Sequence, residues 1–336
     1  MARPTAVADQ QGVTMSRRFL VVVRAGDSSL HPQWLQDSAG QRVERNWDLI
    51  VNYYGDDPQR YRDHGPDVVR IDGKGPKWPA LKKLLVDQRA TWNAYDYIWL
   101  PDDDLAADCG QINKMFEMMA GLGLQLGQPS LSWTSYVSLV MTLHNPAFAL
   151  RYSSFVEPMA PCFSRALLER VIVTFDQIIS GWGLDYVWPT FLRNPATECA
   201  VLDRIQVTHT RPVGGPNYRF NREAGIDPKA EMAYLLKKHG IAEALQISYG
   251  GLDRDGNVYN LFGPRGTDFV YRLCDGYLPR LSPVPQHIGT VFNWHAKARA
   301  EYLAAASAPA SAAATPSDPL AHFRAAAAGR VLEAQS

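Results

Sequence analysis

Residues 97–111 read YIWLPDDDLAADCGQ. Tyr97, Ile98, Trp99 and Leu100 form an aromatic-aliphatic run that suits a buried strand, and Pro101 stops it. Three adjacent acids follow, Asp102, Asp103 and Asp104, and they repel one another unless a cation or a donor-rich ligand neutralises them. Asp108 then stands where a helix N-cap belongs, ahead of an apolar stripe at Ile112, Met115, Phe116 and Met119. On this stretch alone the acids read either as a solvated turn or as a metal site. What the stretch does indicate is an α/β chain, with a strand delivering polar residues into a loop that opens a helix.

Three earlier segments repeat that grammar. Arg18–Arg24 (RFLVVVR) is the continuous apolar run of a buried parallel strand, followed by the turn AGDSS. Asp48–Tyr54 (DLIVNYY) ends at Gly55, Asp56 and Asp57, and Asp67–Ile71 (DVVRI) ends in DGKGPKWP. Lys77–Val86 reads as a helix with Trp78, Leu81, Leu84 and Leu85 on one face. The expectation is a mainly parallel central sheet flanked by helices. In such sheets ligands bind outside the carboxyl ends of the strands. All four ends here are polar (RAGDSS, YYGDD, DGKGPKW, PDDD), which favours one shared ligand crevice.

The second half is more mixed. Leu124–Leu131, Tyr136–Leu143 and Phe155–Phe163 have strand-like patches. Ser164 caps an expected helix from Arg165 to about Ser180, with Leu168, Val171, Phe175, Ile178 and Ile179 on one face and Gly181 ending it. Ala200–Thr208 forms a further strand whose end presents His209, and residues 246–275 alternate as a hairpin with DRDG at its turn. The expected organisation is a disordered N-terminus at 1–16, one domain at 17–235, a hairpin-containing extension at 236–303 and an Ala/Pro-rich flexible tail at 304–336. Within that tail a short helix fits around 318–334.

Lys and Arg number 34, Asp and Glu number 34, and no basic block occurs, so nothing favours nucleic acid or an anionic membrane surface. Four scattered cysteines without a CxxC pair suit free thiols in a reducing compartment. No apolar run reaches the length of a membrane span, and residues 1–18 lack the apolar segment of a secretory signal. A cytoplasmic chain with no transmembrane segment is the expectation. Neither a GxSxG elbow nor a GxxxxGK[ST] loop is present, which argues against a serine hydrolase and a P-loop enzyme.

Several residues carry candidate chemistry, each with a bland alternative. Asp102 and Asp104 offer D-x-D spacing to Mn2+ or Mg2+, which take hard oxygen ligands and bridge carboxylates to a diphosphate. His209 is a candidate third ligand, or a satisfied structural histidine. Asp185 in SGWGLDYVWP is a candidate base for an acceptor hydroxyl, or the acid of an ordinary helix-ending turn. Trp182 beside it offers a flat face for a sugar ring. Lys77 could hold a phosphate or be solvated. Glu157, an acid in an apolar segment, needs a partner, either an acceptor or an arginine.

Taken in order, YDYIWLPDDDL, GLQLGQPSLS, VEPMAPCFSR, SGWGLDYVWP and VLDRIQVTHTRPVGG resemble the successive motifs of the DUF707 family of glycosyltransferase-like proteins. NWDLIVNYYGDD and KGPKWPALKKLL fit its earlier part, and the likeness spans roughly residues 17–225. More broadly the layout is similar to GT-A nucleotide-sugar transferases. That resemblance implies a single GT-A-like domain and a metal-dependent transfer from a nucleoside-diphosphate sugar, with UDP the expected nucleotide, to a carbohydrate or other hydroxyl acceptor. Asp102, Asp104 and His209 would hold Mn2+ or Mg2+, and Asp102 would also meet the donor. Arg24, Tyr54, Lys77 and Asp103 would bind the donor, Asp103 at its sugar or ribose. Trp133, Glu157 and Trp182 would line the acceptor side, and Asp185 would be the base of an inverting reaction. One departure stands out: WGLD continues with Tyr186, where the similar WG-x-[ED] segment of inverting enzymes has a second acid. The competing expectations are a noncatalytic sugar- or nucleotide-binding protein on the same scaffold and a Mg2+-dependent phosphoryl-transfer or hydrolytic enzyme.

Overall fold

The computed structural model describes residues 18–62, 68–212, 221–242, 246–281 and 285–306. The expected disordered stretch 1–16, residues 213–215 of the last family motif, the 318–334 helix and the tail beyond Ala306 lie outside those residues.

The described residues form eleven strands: β1 (Phe19–Ala25), β2 (Trp47–Tyr53), β3 (Val68–Asp72), β4 (Tyr97–Trp99), β5 (Leu105–Ala106), β6 (Leu126–Leu131), β7 (Leu150–Ser153), β8 (Cys162–Ser164), β9 (Cys199–His209), β10 (Ser248–Leu252) and β11 (Val258–Asn260). Ten of them run in the order β11-β10-β7-β9-β6-β8-β4-β1-β2-β3, while β5 pairs with β9. The first four strands are the parallel unit expected from their apolar runs, with β1 central between β2 and β4. β6 and β9 are also parallel, and β8 joins the two groups by lying antiparallel to both β4 and β6.

The continuous apolar runs have a plain cause: both faces of the sheet are covered. β1 sends Phe19, Val21, Val23 and Ala25 into one core, and Leu20 and Val22 into the other. The helix Cys109–Gly121 closes the first core with Cys109, Ile112, Met115, Phe116 and Met119. The helix Lys77–Asp87 closes the second with Trp78, Leu81, Leu84 and Leu85. Asp108 caps the former as expected. Its carboxylate accepts from Gln111 N at 2.7 Å, and its own N–H donates to Gln111 Oε1 at 2.8 Å, completing a reciprocal box.

Four elements differ from the sequence expectation. Phe155–Phe163 forms a strand only at its end, in Cys162–Ser164. Tyr136–Leu143 is not a strand; a 3-10 turn at Val140–Thr142 replaces it. The carbonyls of Met141 and Leu143 that a ladder would use accept instead from the Arg151 guanidinium, both at 2.8 Å. The helix beginning at Arg165 is capped by Ser164 as expected but ends at Val171 and continues as a 3-10 turn, Ile172–Thr174. There the Thr174 hydroxyl donates to the Val171 carbonyl at 2.7 Å and competes with the helical pattern. Finally, the hairpin β10–β11 extends the central sheet through β7, and two helices follow it, Gly266–Leu281 and Pro285–Ala306. The first buries Phe269, Val270, Leu273, Cys274 and Tyr277 in the core of the Cys109–Gly121 face.

That helix packs so closely that a Cβ on Gly276 would lie 1.9 Å from Asn145 Oδ1. A fully buried ion pair fastens it further. Arg151 donates from Nε to Asp203 Oδ2 at 2.7 Å and from Nη2 to Oδ1 at 3.0 Å, and also donates to the Tyr277 hydroxyl. Both charges have no solvent exposure, and Arg151 Nε, Nη1 and Nη2 all donate to fixed acceptors. Removing one partner leaves the other charge stranded. Asp203→Ala should therefore cost about 3–5 kcal/mol of stability in urea unfolding, and a loss below about 1 kcal/mol would contradict this account.

Candidate functional site

A short pairing builds the site. β5 has two residues, and both lie antiparallel to the end of β9: Leu105 faces His209 and Ala106 faces Thr208. The acids just before β5 are thereby brought against the residues that end β9. Thr210 ties the junction, donating to the Asp104 carbonyl from its N–H at 3.1 Å and from its hydroxyl at 2.9 Å. As a result His209 Nε2 stands 3.4 Å from Asp104 Oδ2.

The histidine is oriented from behind. Its Nδ1 lies 2.6 Å from the Tyr136 carbonyl, and its backbone N–H donates to Ser135 Oγ at 3.1 Å. A carbonyl accepts only, so Nδ1 carries a hydrogen and Nε2 is the nitrogen turned to Asp104. Burial pulls the imidazole's pKa down, but the Asp104 hydrogen bond, the Tyr136 carbonyl and the charges of Asp104 and Asp102 carry it up to about 9. The other Asp104 oxygen, Oδ1, is buried with no hydrogen-bond partner.

Asp103 faces the other way. Oδ2 accepts from Gly26 N at 2.7 Å and Oδ1 from Arg211 Nη1 at 3.1 Å, while Arg211 Nη2 reaches the Ser28 carbonyl at 2.6 Å. Burial raises its carboxyl above the ordinary range against these two bonds. Asp103 thus ties the loop after β1 to the loop after β9, with both oxygens engaged. Arg211 also approaches Asp104 Oδ2 to 4.0 Å; the sequence reading assigned it no role.

Arg24, at the end of β1, is buried and donates to Asn52 Oδ1 at 2.6 Å and to the carbonyls of Gly73 and Gly75 at 3.0 and 2.6 Å. Its guanidinium lies 5.0 Å from the centre of the Tyr54 ring. The ends of the first three strands are therefore laced together at Arg24, with Tyr54 exposed beside them. Lys77 begins its helix with Nζ 2.6 Å from Asp102 Oδ1 and 2.6 Å from the Pro158 carbonyl.

Glu157 and Asp185 complete the cluster. Both are buried, and Glu157 Oε2 and Asp185 Oδ1 have no hydrogen-bond partner. Burial pushes Asp185 up to about 7 despite the backbone N–H groups at the start of the helix Leu184–Val187. Burial likewise pushes Glu157 up to about 8, and the negative charges of Asp185 and Asp102 add to the shift. The Asp185 segment reaches this place through two left-handed glycines, Gly181 (φ 83°) and Gly183 (φ 95°). Gly181 lies under Trp78, where a Cβ would come 2.6 Å from the indole nitrogen. Trp182 is half-buried, its N–H donating to Ser180 Oγ at 3.3 Å. Trp133 belongs to the loop that holds His209, and its ring packs edge-on against Tyr277, 6.0 Å between centres. Thus Asp102, Asp103, Asp104, His209, Lys77, Glu157 and Asp185 share one electrostatic neighbourhood.

Residues 68–231 match the family described as "Protein of unknown function (DUF707)". The match covers a little under half of this chain. The matched stretch contains Lys77, the three acids, Glu157, Asp185, His209 and Arg211, whereas Arg24 and Tyr54 lie before it. No curated protein matches the chain. Among solved structures, a mannosyltransferase from Pyrobaculum calidifontis in complex with GDP-Man and Mn2+ is 16% identical, with 95% of this chain and 81% of that one covered and a TM-score of 0.45. Glucosyl-3-phosphoglycerate synthase from Mycobacterium tuberculosis, in complex with Mn2+, UDP-glucose and phosphoglyceric acid, is 20% identical over 68% and 82%, TM-score 0.41. TarS of S. aureus, residues 1–349, is 9% identical over 85% and 88%, TM-score 0.42.

A divalent cation suits Asp104 and His209: one carboxylate oxygen has no hydrogen-bond partner, and the imidazole is held through Nδ1, so Nε2 is the nitrogen a cation would take in place of its proton. Asp102 is the third donor of the set, but it is turned to Lys77. Among the described residues no group of three or more His, Cys, Asp or Glu side chains is drawn together as a ready-made metal site. Among the same residues no helix is long and apolar enough to cross a membrane.

The burial of Asp185 has a measurable cost. Its folded-state pKa of about 7 lies above the ordinary 3.8, so its contribution to stability is whole below about pH 3.8 and is lost as pH rises through about 7. Asp185→Asn keeps the shape without the charge. At pH 8 the variant should be more stable than the wild type by on the order of 2 kcal/mol, with the difference vanishing near pH 4. Denaturant curves at the two pH values check this, and an unchanged stability at pH 8 would contradict the buried placement.

Proposed function

We propose that this chain is a metal-dependent, GT-A type glycosyltransferase that moves a sugar from a nucleoside-diphosphate sugar, most simply a UDP-sugar, to an acceptor hydroxyl with inversion. The observation that carries the reading is the meeting of Asp104 with the oriented Nε2 of His209 at the carboxyl ends of the strands, beside the buried carboxyls of Glu157 and Asp185. Mn2+ or Mg2+ held by Asp102, Asp104 and His209 would take up the charge that builds on the departing diphosphate.

The chain's own groups divide into two sides. On the donor side, Arg24 and Tyr54 frame the crevice, Asp103 and Arg211 close its floor, and Lys77 faces the diphosphate. On the acceptor side, Asp185 takes the proton of the acceptor hydroxyl as that oxygen bonds to the anomeric carbon. The carbon–oxygen bond to the diphosphate breaks, and the diphosphate leaves with its electron pair. Glu157, protonated at neutral pH, offers the acceptor a hydrogen bond, and we assign Trp133 and Trp182 to the same side. The cytoplasm is the setting we propose, in keeping with four buried cysteines, none of them in a disulfide.

Thermal shifts with nucleotides and nucleotide sugars, each with and without Mn2+, test the donor site. UDP should stabilise the chain only when Mn2+ is present, and Asp104→Asn should abolish that shift; stabilisation that persists in the variant would remove Asp104 from the site. For turnover, kcat/KM should rise with pH through about 7 as Asp185 ionises. Asp185→Asn should lower kcat by about 10²–10⁴-fold. A noncatalytic binding protein would keep its affinity in that variant and transfer nothing from any donor, and a hydrolytic enzyme would release free phosphate instead.

A further inference from the structure

Asp102 and Asp104 belong to one run of acids, yet their carboxylates answer to different partners. Asp104 has one oxygen without a partner and the other beside His209. Asp102 is held at 2.6 Å by Lys77, whose side chain is only 14% exposed. Lys77 is itself fixed from two further directions, by the Pro158 carbonyl at 2.6 Å and by the Trp78 ring at 4.8 Å. The residues suited to a divalent ion are therefore divided. Two stand together, and the third is already neutralised by an ammonium group.

We propose that Lys77 is a built-in cation that competes with the divalent ion for Asp102, and that the donor diphosphate draws it away, so that metal and nucleotide bind as a coupled pair. This rests on the metal-dependent reading above. An ammonium and a metal ion repel each other when both press on one carboxylate, so the full ligand set forms only once Lys77 has another anion to pair with. Phosphate oxygens supply that anion, and a lysine on a flexible stem can move to them without disturbing the backbone that holds Asp102. That backbone is independently pinned, with Asp102 N donating to the Met159 carbonyl at 2.7 Å. Coupling of this kind is reciprocal: whatever factor UDP adds to Mn2+ affinity, Mn2+ adds to UDP affinity.

The test is Mn2+ binding to the full chain at pH 8, read from the paramagnetic signal of the free ion, with and without UDP. The wild type should bind Mn2+ about tenfold or more tightly when UDP is present. Lys77→Met should bind Mn2+ alone about tenfold more tightly than the wild type and keep little of the UDP enhancement. Lys77→Gln removes the charge but retains a donor for the Pro158 carbonyl, and it stands in should the methionine variant fail to fold. Either folded variant binding Mn2+ no more tightly than the wild type without UDP overturns the proposal, as does a wild type indifferent to UDP. Asp104→Asn separates the two levels. If it loses Mn2+ while the Lys77 variants are unchanged, Lys77 is not the competitor. If it binds Mn2+ as the wild type does, the metal site fails and this proposal with it.

Discussion

Two residues, Leu105 and Ala106, pair with the end of β9, and almost everything at the candidate site depends on that contact. The acids arrive from β4 and the histidine from β9, strands that are not neighbours in the sheet. Without the short antiparallel bridge between them, Asp104 and His209 would belong to separate loops. With it, Thr210 locks the Asp104 carbonyl and Arg211 reaches Asp103, so both sides of the junction are fastened. Backbone pairing is a stiff way to bring side chains together, because it sets positions before any side chain chooses a rotamer.

The electrostatics follow from concentration. Asp102, Asp103, Asp104, Glu157 and Asp185 crowd one end of the sheet, and the protein meets their repulsion in three ways. Asp103 spends its charge on a backbone N–H and an arginine, Asp102 on Lys77, and Asp104 on a histidine whose pKa rises to about 9. Glu157 and Asp185 have only a threonine and backbone N–H groups against their burial, and hold protons near neutrality instead. The cluster therefore sorts itself into charged groups on one side and titrating groups on the other, the division that the proposed reading uses for donor binding and proton transfer.

Legibility differs sharply between the two halves of the chain. β1, β2 and β4 could be read because a strand buried on both faces leaves an unbroken apolar run, and Asp108 and Ser164 announced their helices as caps. The two-residue β5 has no periodicity to read, so His209 was a candidate partner of the acids from its place at a strand end and from the family's motif order, but the pairing that brings it to Asp104 was not legible. Lys77 could be placed at a helix start but not against Asp102, since nothing local encodes that pairing. Arg211 looked like any arginine after a strand. The helix Gly266–Leu281 was hidden by Gly276 and Pro279, poor helix formers in its interior. Gly276 is there because Asn145 leaves no room for a side chain, a long-range reason that no window of sequence contains.

The Trp133–Tyr277 contact carries a consequence for the last third of the chain. Tyr277 belongs to the helix Gly266–Leu281, and Trp133 sits on the loop whose Ser135 and Tyr136 clasp His209. The same helix is bolted to the sheet through Arg151 and Asn145. A segment that looks like an appendage is thus a buttress standing behind the imidazole. Shortening the chain before this helix would remove the wall against which that loop is set, although every acid of the site would still be present.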